Sequence, residues 1–184
     1  MKFSEGEVFE EFEAGGKKVT FRALKSSDLR GCLRHINTLI DGKAYISLDT
    51  EVTLAQEKEW LLKELGGNRE GNKVTVVVET DGKISGMGSV WKGMHPVSSH
   101  KCDLAIGLNS GKGKGIGYRL MMTLERLAVE RLEGEVMSFW VCGANVIARK
   151  LYAKCGYRQA GSIPRGCKLR GKYYDELIMV KDIG

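Results

Sequence analysis

Apolar and polar residues alternate from Lys18 to Ala23 through Val19 and Phe21, the period of a half-buried strand. Ser26, Ser27 and Asp28 follow with side chains suited to cap a helix. Leu29, Cys32, Leu33, Ile36 and Ile40 then recur at helical spacing up to Gly42, where a left-handed glycine is expected to end the helix. Thr53 and Gln56 have the spacing of a capping box for a second helix, which carries Leu54, Trp60, Leu61 and Leu65 and is expected to close before Gly66-Gly67. Val74 to Thr80 and Lys83 to Trp91 flank Asp81-Gly82, a dipeptide that supplies positive φ at both centres of a tight hairpin turn.

After the loop from Lys92 to Ser99, Cys102 to Leu108 reads as another strand. Leu120, Met121, Leu124, Leu127, Ala128 and Leu132 form a helical stripe ending near Gly134, and Glu135 to Cys142 is a further strand. Asn145 caps a last helix whose inner face is predicted to hold Ile147, Ala148, Leu151 and Tyr152, with Gly156 past its end; β segments around Tyr157 and from Tyr174 to Val180 finish the chain. The order, written β-α-α-β-β-β-α-β-α-β, joins an antiparallel hairpin half to strand-helix-strand units. The expected class is therefore α/β, a mixed sheet covered by helices.

With 184 residues, 42% of them hydrophobic, the chain fills one core, and no repeat, linker or low-complexity tract divides it. Five scattered cysteines without a C-x-x-C pair form neither a disulfide framework nor a zinc ribbon, and the spacing of His95, His100 and Cys102 fits no zinc pattern, so no metal is expected. The acidic start MKFSEGEVFEEFEAG lacks the apolar stretch of a secretion signal, and no apolar run is long enough to span a bilayer, which points to a cytoplasmic protein. Whether the segment Met1 to Ala14 is ordered stays open. The net charge of +6 suits a phosphorylated ligand, an acidic partner or nucleic acid. Because the cations are interleaved with carboxylates and no nucleic-acid signature appears, nucleic acid is the least expected of the three.

Chemistry concentrates in Gly111-Lys112-Gly113-Lys114-Gly115-Ile116-Gly117, between a predicted strand and a strongly amphipathic helix. Glycines let backbone approach a ligand closely, and a helix start presents unpaired N–H groups and a favourable dipole to phosphate oxygens. A dinucleotide fingerprint would need glycine at Ile116 or Tyr118, and a P-loop pattern occurs nowhere, which leaves a pyrophosphate cradle of another kind or a flexible turn.

The stretch from Lys112 to Gly117 resembles the [RQ]-x-x-G-x-[GA] motif of the GNAT acetyltransferases, with lysine at its first position in place of arginine or glutamine. A second, independent stretch, from Asn145 to Tyr157, is similar to the N-x-x-A-x-x-L-Y-x-K-x-G-[FY] segment of the same family. The resemblance runs from about Val19 to Val180, and the ending Gly171 to Met179 resembles the branches that acetylate ribosomal proteins and small amines. It implies an acidic extension over residues 1–18 and a single domain of the GNAT acyl-CoA N-acyltransferase fold over 19–184.

The activity implied is transfer of acetyl from acetyl-CoA to a primary amine, either a protein N-terminus or lysine or a small polyamine, by direct attack in a ternary complex. Cofactor-binding positions carried over are the backbone of Ile106, Gly107 and Leu108 for the pantetheine arm, and the loop and helix start Lys112, Gly113, Lys114, Gly115, Ile116, Gly117 and Tyr118 for the pyrophosphate. Asn145 and Tyr152 complete that set. Tyr152 is expected to protonate the leaving thiolate, and Asp103 stands near the place of a carboxylate that helps to deprotonate the amine. Glu51 and Glu57 are alternatives for acceptor binding, and the basic run Arg165, Lys168, Arg170 and Lys172 is expected beside the acceptor site. Packing for Tyr152 and solvation for Asp103 are the competing roles. Cys142 and Cys155 lack a neighbouring histidine, so a covalent acetyl-enzyme is not expected. A non-catalytic acyl-CoA sensor is the alternative function, and homodimerisation is left open.

Overall fold

The computed structural model describes residues 4–109 and 113–184. Eight strands form one sheet: β1 (Val8–Glu13), β2 (Lys18–Ala23), β3 (Lys73–Thr80), β4 (Lys83–Lys92), β5 (Lys101–Leu108), β6 (Val136–Cys142), β7 (Arg158–Leu169) and β8 (Lys172–Asp182). Their spatial order is β1-β2-β3-β4-β5-β6-β8-β7, antiparallel throughout except for β5 with β6. Among the described residues the four α-helices are α1 (Leu29–Asp41), α2 (Leu54–Glu70), α3 (Ile116–Leu132) and α4 (Val146–Lys154). None of them is long and apolar enough to cross a membrane.

Alternation divides the sheet into two faces. Val74, Val76, Val78, Val90, Leu104, Phe139 and Leu177 point into the main core, against the buried stripe Leu120, Met121, Leu124, Leu127, Ala128 and Leu132 of α3. Gly88 of β4 makes room for this helix: a Cβ there would lie 2.7 Å from Leu124. A smaller core on the other face joins Leu24, Cys32, Leu61, Leu65 and Val77 beneath α1 and α2. Each fully buried leucine or phenylalanine in these layers contributes about 1.5–3 kcal/mol of transfer free energy, so the α3 stripe is a principal fastening of helix to sheet.

The Asp81-Gly82 turn has φ of 50° and 73°, as its sequence predicts. The Thr53–Gln56 capping box also forms, with side chain and backbone bonded reciprocally. Elsewhere the predicted order and boundaries need correction. The predicted order lacks β1 and has one terminal strand where β7 and β8 form a hairpin. α2 continues through Gly66-Gly67 to Glu70 and stops at Gly71, whose φ is 78°; Gly67 lies where a Cβ would come 3.1 Å from Lys73, so close approach to β3 accounts for that glycine. Gly42 has φ of −72°, and the left-handed step after α1 is taken by Lys43. Asp28 does not cap α1; its carboxylate holds the buried Arg22 at 2.8 and 2.9 Å. Ile147 is exposed, because α4 turns Ala148, Leu151 and Tyr152 inward.

The acidic N-terminal segment contributes the edge strand β1. Phe12 meets Phe21 edge-on at 5.2 Å, and Glu10 and Glu7 pair with Arg119 and Arg131 of α3. Two of its carboxylates therefore serve the outer surface of α3.

Candidate active site

The site begins as an interruption in the sheet. β5 and β6 pair only through Lys101 with Val136 and Cys102 with Met137. Beyond that point the strands part, so the side of β5 that faces β6 has no strand partner from Asp103 to Leu108 among the described residues. The other side of β5 is fully laddered to β4, from Cys102 with Lys92 to Leu108 with Gly86. Unpaired strand groups held rigid in this way are a template for an extended ligand chain. Ile106 and Leu108 pack on the main core, while Gly107 faces α1, where a Cβ would come 2.7 Å from Leu39.

The gap leads to the start of α3. Gly113 and Gly115 have φ of 77° and 78°, and a Cβ on either would meet no atom within 4 Å. Gly115 is the N-cap of α3 and no side chain caps it, which leaves the first-turn N–H groups, those of Ile116, Gly117 and Tyr118, at an anion-attracting terminus. Gly117 lets α3 begin close to its neighbours, for its Cβ would lie 3.3 Å from Leu151 and 3.4 Å from Leu108. Ile116 is buried, Tyr118 is partly exposed with the Lys154 ammonium 5.2 Å from its ring centre, and the Lys114 side chain lies against Gly15. Lys112 lies outside the described residues.

Tyr152 is only 6% exposed and sits in an aromatic cluster: its ring is edge-on to Phe139 at 4.7 Å and to Tyr157 at 6.2 Å. Phe139 stands on β6 beyond the last β5–β6 pair, which places Tyr152 over the gap on the α3/α4 face. Burial pushes its phenol well above the ordinary tyrosine pKa, and among the described residues its hydroxyl has no hydrogen-bond partner. Asn145 caps α4 by accepting from the Ala148 N–H at 3.2 Å.

Asp103 is the first residue of β5 past the pairing, and alternation puts it on the opposite face from Leu104 and Tyr152. Burial raises its carboxyl pKa, with Lys101 acting the other way. Ala105 of β5 is exposed on this face, and Trp140 of β6 is 51% exposed. The loop between α1 and α2 reaches the β7–β8 hairpin here: Arg170 donates to the Ala44 carbonyl at 2.9 Å, and Tyr45 meets Tyr174 edge-on at 6.2 Å. Arg165 and Lys168 lie over Tyr173, at 4.2 and 5.2 Å, and Lys172 is exposed. The predicted basic run is thus distributed over one hairpin, and Arg170 hydrogen-bonds to the loop.

Glu51 is an exposed loop residue, whereas Glu57 is 4% exposed in the first turn of α2, and its carboxylate has no hydrogen bond or ion pair among the described residues. Burial alone pushes its pKa up to about 7. A carboxyl whose folded pKa exceeds its unfolded value of 4.5 stabilises the fold fully below pH 4.5, and that stability is lost as pH rises through 7. Glu57→Gln is therefore expected to gain up to about 3 kcal/mol over wild type at pH 8 and little at pH 5. Thermal melts at the two pH values check this, and an identical pH dependence in both proteins would refute it.

All five cysteines are free; Cys155 is buried, and Cys142 is half-buried within hydrogen-bonding reach of Cys167. Among the described residues no three His, Cys, Asp or Glu side chains are grouped so as to hold a metal. Periodicity did not single out Trp140, Tyr45 or the buried His35. Trp140 was detectable as a large apolar residue at an outward position of β6, whereas Tyr45 lies in a loop whose position depends on distant elements.

A model of the acetyltransferase (GNAT) family matches residues 40–157. YwnH of Bacillus subtilis (strain 168), named as a proposed phosphinothricin acetyltransferase, is 25% identical over 172 residues, covering 90% of this chain and 99% of YwnH. The ribosomal-protein-alanine N-acetyltransferase of Brucella melitensis superposes with a TM-score of 0.77 at 25% identity, over 88% of this chain and 98% of that one. The yncA protein of Salmonella typhimurium, solved with its cofactor acetyl-CoA, superposes with a TM-score of 0.77 at 18% identity, over 90% and 94%.

Proposed function

This chain belongs to the acetyltransferase (GNAT) family, and from that premise we propose that it moves the acetyl group of acetyl-CoA onto a primary amine by direct attack in a ternary complex. The observation that carries the reading is the β5–β6 gap, which runs from Asp103 to the glycine-bearing start of α3. In this reading the backbone of Ile106, Gly107 and Leu108 pairs with the pantetheine arm and offers an N–H to the thioester oxygen. The N–H groups from Gly113 to Tyr118 hold the pyrophosphate, with Lys112 and Lys114 adding charge. Asn145 keeps its amide N–H groups for the arm while its oxygen caps α4.

The two faces of the gap then divide the chemistry. An amine enters over Ala105 and Trp140, on the open face. As its nitrogen bonds to the acetyl carbon, Asp103 takes a proton from it, directly or through water, and the C–S bond breaks toward Tyr152 on the other face. Tyr152 enters the step protonated, because burial disfavours phenolate. It gives its proton to the departing thiolate, which leaves as the free thiol, and the phenolate is reprotonated through water as Asp103 releases the proton taken from the amine. A lysine acceptor, with an unperturbed pKa near 10.4, depends more on Asp103 than an α-amine does, at about 7.7–8.0.

The names of the relatives supply two amines for the acceptor panel, phosphinothricin and a protein N-terminal alanine. Calorimetry with acetyl-CoA, followed by thiol release against peptides, lysine, polyamines and phosphinothricin, is expected to show binding and release that depends on one amine class. Binding without release from any amine would favour a sensor. Absence of binding would overturn the reading.

A further inference from the structure

We propose, resting on the acetyl-transfer reading above, that the Glu57 carboxylate belongs to the open face of the gap and holds a second ammonium group of the acceptor, which makes the acceptor an unbranched diamine or polyamine.

α2 crosses the open face obliquely, and its inward residues mark the path. Asn68 accepts from the Thr75 N–H of β3 at 3.2 Å; Glu64, one turn earlier, accepts from Thr75 of β3 at 2.6 Å and from Ser89 of β4 at 3.3 Å. Glu57 is buried on the same side of the helix two turns earlier still. That is about 10.5 Å along the axis, or about two strand spacings, which carries it past β4 to β5. Two further contacts agree. Cys32 of α1 lies close enough for the Glu57 charge to raise its thiol pKa, and its sulfur is 3.9 Å from that of Met87, the β4 partner of Gly107 in β5. Ala105, the partner of Ser89 in the ladder, is exposed, so neither helix closes over β5 there. Glu57 thus shares the face of Asp103 and Ala105, toward the Gly107 end.

Glu57 is 4% exposed and has no hydrogen bond or ion pair among the described residues, but its oxygens are not sealed as the unpartnered Nδ1 of His35 is; they open onto solvent. Burial alone acts on its pKa, so no cation offsets its charge. Glutamine at this position would raise stability at neutral pH, and a carboxylate here therefore serves something other than the fold. The partner it lacks is an ammonium, which brings a positive charge and N–H donors to a carboxylate whose desolvation is already complete. One nitrogen does not serve both carboxylates. Asp103 and Gly107 are four residues apart on β5, about 13 Å, and Glu57 and Asp103 do not shift each other's pKa. An acceptor that meets both carries two nitrogens on a methylene chain, for which Ala105 and the half-exposed Trp140 supply apolar surface.

The test compares a series of straight α,ω-diamines with the ω-amino alcohols of the same length, in wild type and in Glu57→Gln, a variant expected to fold at least as stably. In wild type kcat/KM is expected to favour the best diamine over its amino alcohol by about tenfold or more, and in Glu57→Gln that ratio should fall to about one. A second readout needs no turnover. Each diamine is titrated into CoA-saturated protein at pH 7 in two buffers of different ionisation enthalpy. Wild type is expected to release about half a proton more than the variant, because Glu57, with its pKa up at about 7, ionises fully to take the ammonium. If this difference is found but no amine is acetylated, the ammonium site stands and the acetyl-transfer reading falls. An equal loss of kcat/KM for diamine and amino alcohol would make Glu57 the base; that result, an unchanged ratio, or no difference in proton release would overturn the proposal.

Discussion

Replacing Tyr152 by phenylalanine is expected to lower kcat about a hundredfold, at the lower end of what a positioned proton donor supplies, and to leave acetyl-CoA affinity unchanged. Phenylalanine keeps the edge-on contacts with Phe139 and Tyr157, so the fold has no reason to suffer. Among the described residues the hydroxyl makes no hydrogen bond that the substitution would break, so the melting temperature is expected to stay near wild type. Steady-state kinetics, calorimetry and a melt on one preparation separate these terms. If kcat stays within about twofold of wild type, Tyr152 is a packing residue and another group must serve the thiolate.

The second large effect is expected at Gly115. Asparagine tolerates the left-handed backbone that φ of 78° demands, so Gly115→Asn should fold with only a small loss of melting temperature. Its side chain, however, projects into space that no atom of the protein occupies within 4 Å, in front of the open N–H groups of α3. Acetyl-CoA affinity is expected to fall about a hundredfold or more, roughly 2.8 kcal/mol. Calorimetry reads this directly, with Gly115→Ala as the smaller intrusion and a smaller expected loss. Wild-type affinity in Gly115→Asn would mean that the pyrophosphate lies elsewhere.

Legibility varied with the range of the physics involved. The Asp81-Gly82 turn, the Thr53–Gln56 box and the α3 stripe are decided within one to five turns of chain, and each formed where its residues predicted. The failures have equally local explanations. β1 was obscured because a bulge between Val8 and Glu10 breaks the period of two in an acidic segment. Gly66-Gly67 reads as a helix end because Gly67, placed for close packing on β3, and a glycine needed for a left-handed turn are the same letter.

The candidate site shows the same division. Its glycine loop, Asn145 and Tyr152 were legible as motifs, because backbone approach, capping and a phenol need particular residue types in particular order. That Asp103 and Tyr152 lie on opposite faces of one gap was not legible, since it depends on where β5 and β6 stop pairing. Nor could any local pattern bring Tyr45 to Tyr174, or bury Glu57 without a partner.

By itself, then, the amino-acid sequence determined the element types, the two glycine- and asparagine-bearing motifs and the chemistry those motifs can support, because propensity, periodicity and capping act between near neighbours. Only the tertiary structure decided the parting of two parallel strands, the face on which each charged or aromatic group stands and the burial of Glu57. Those features depend on contacts between residues distant in the chain, whose geometry is set by packing of the whole sheet against its helices.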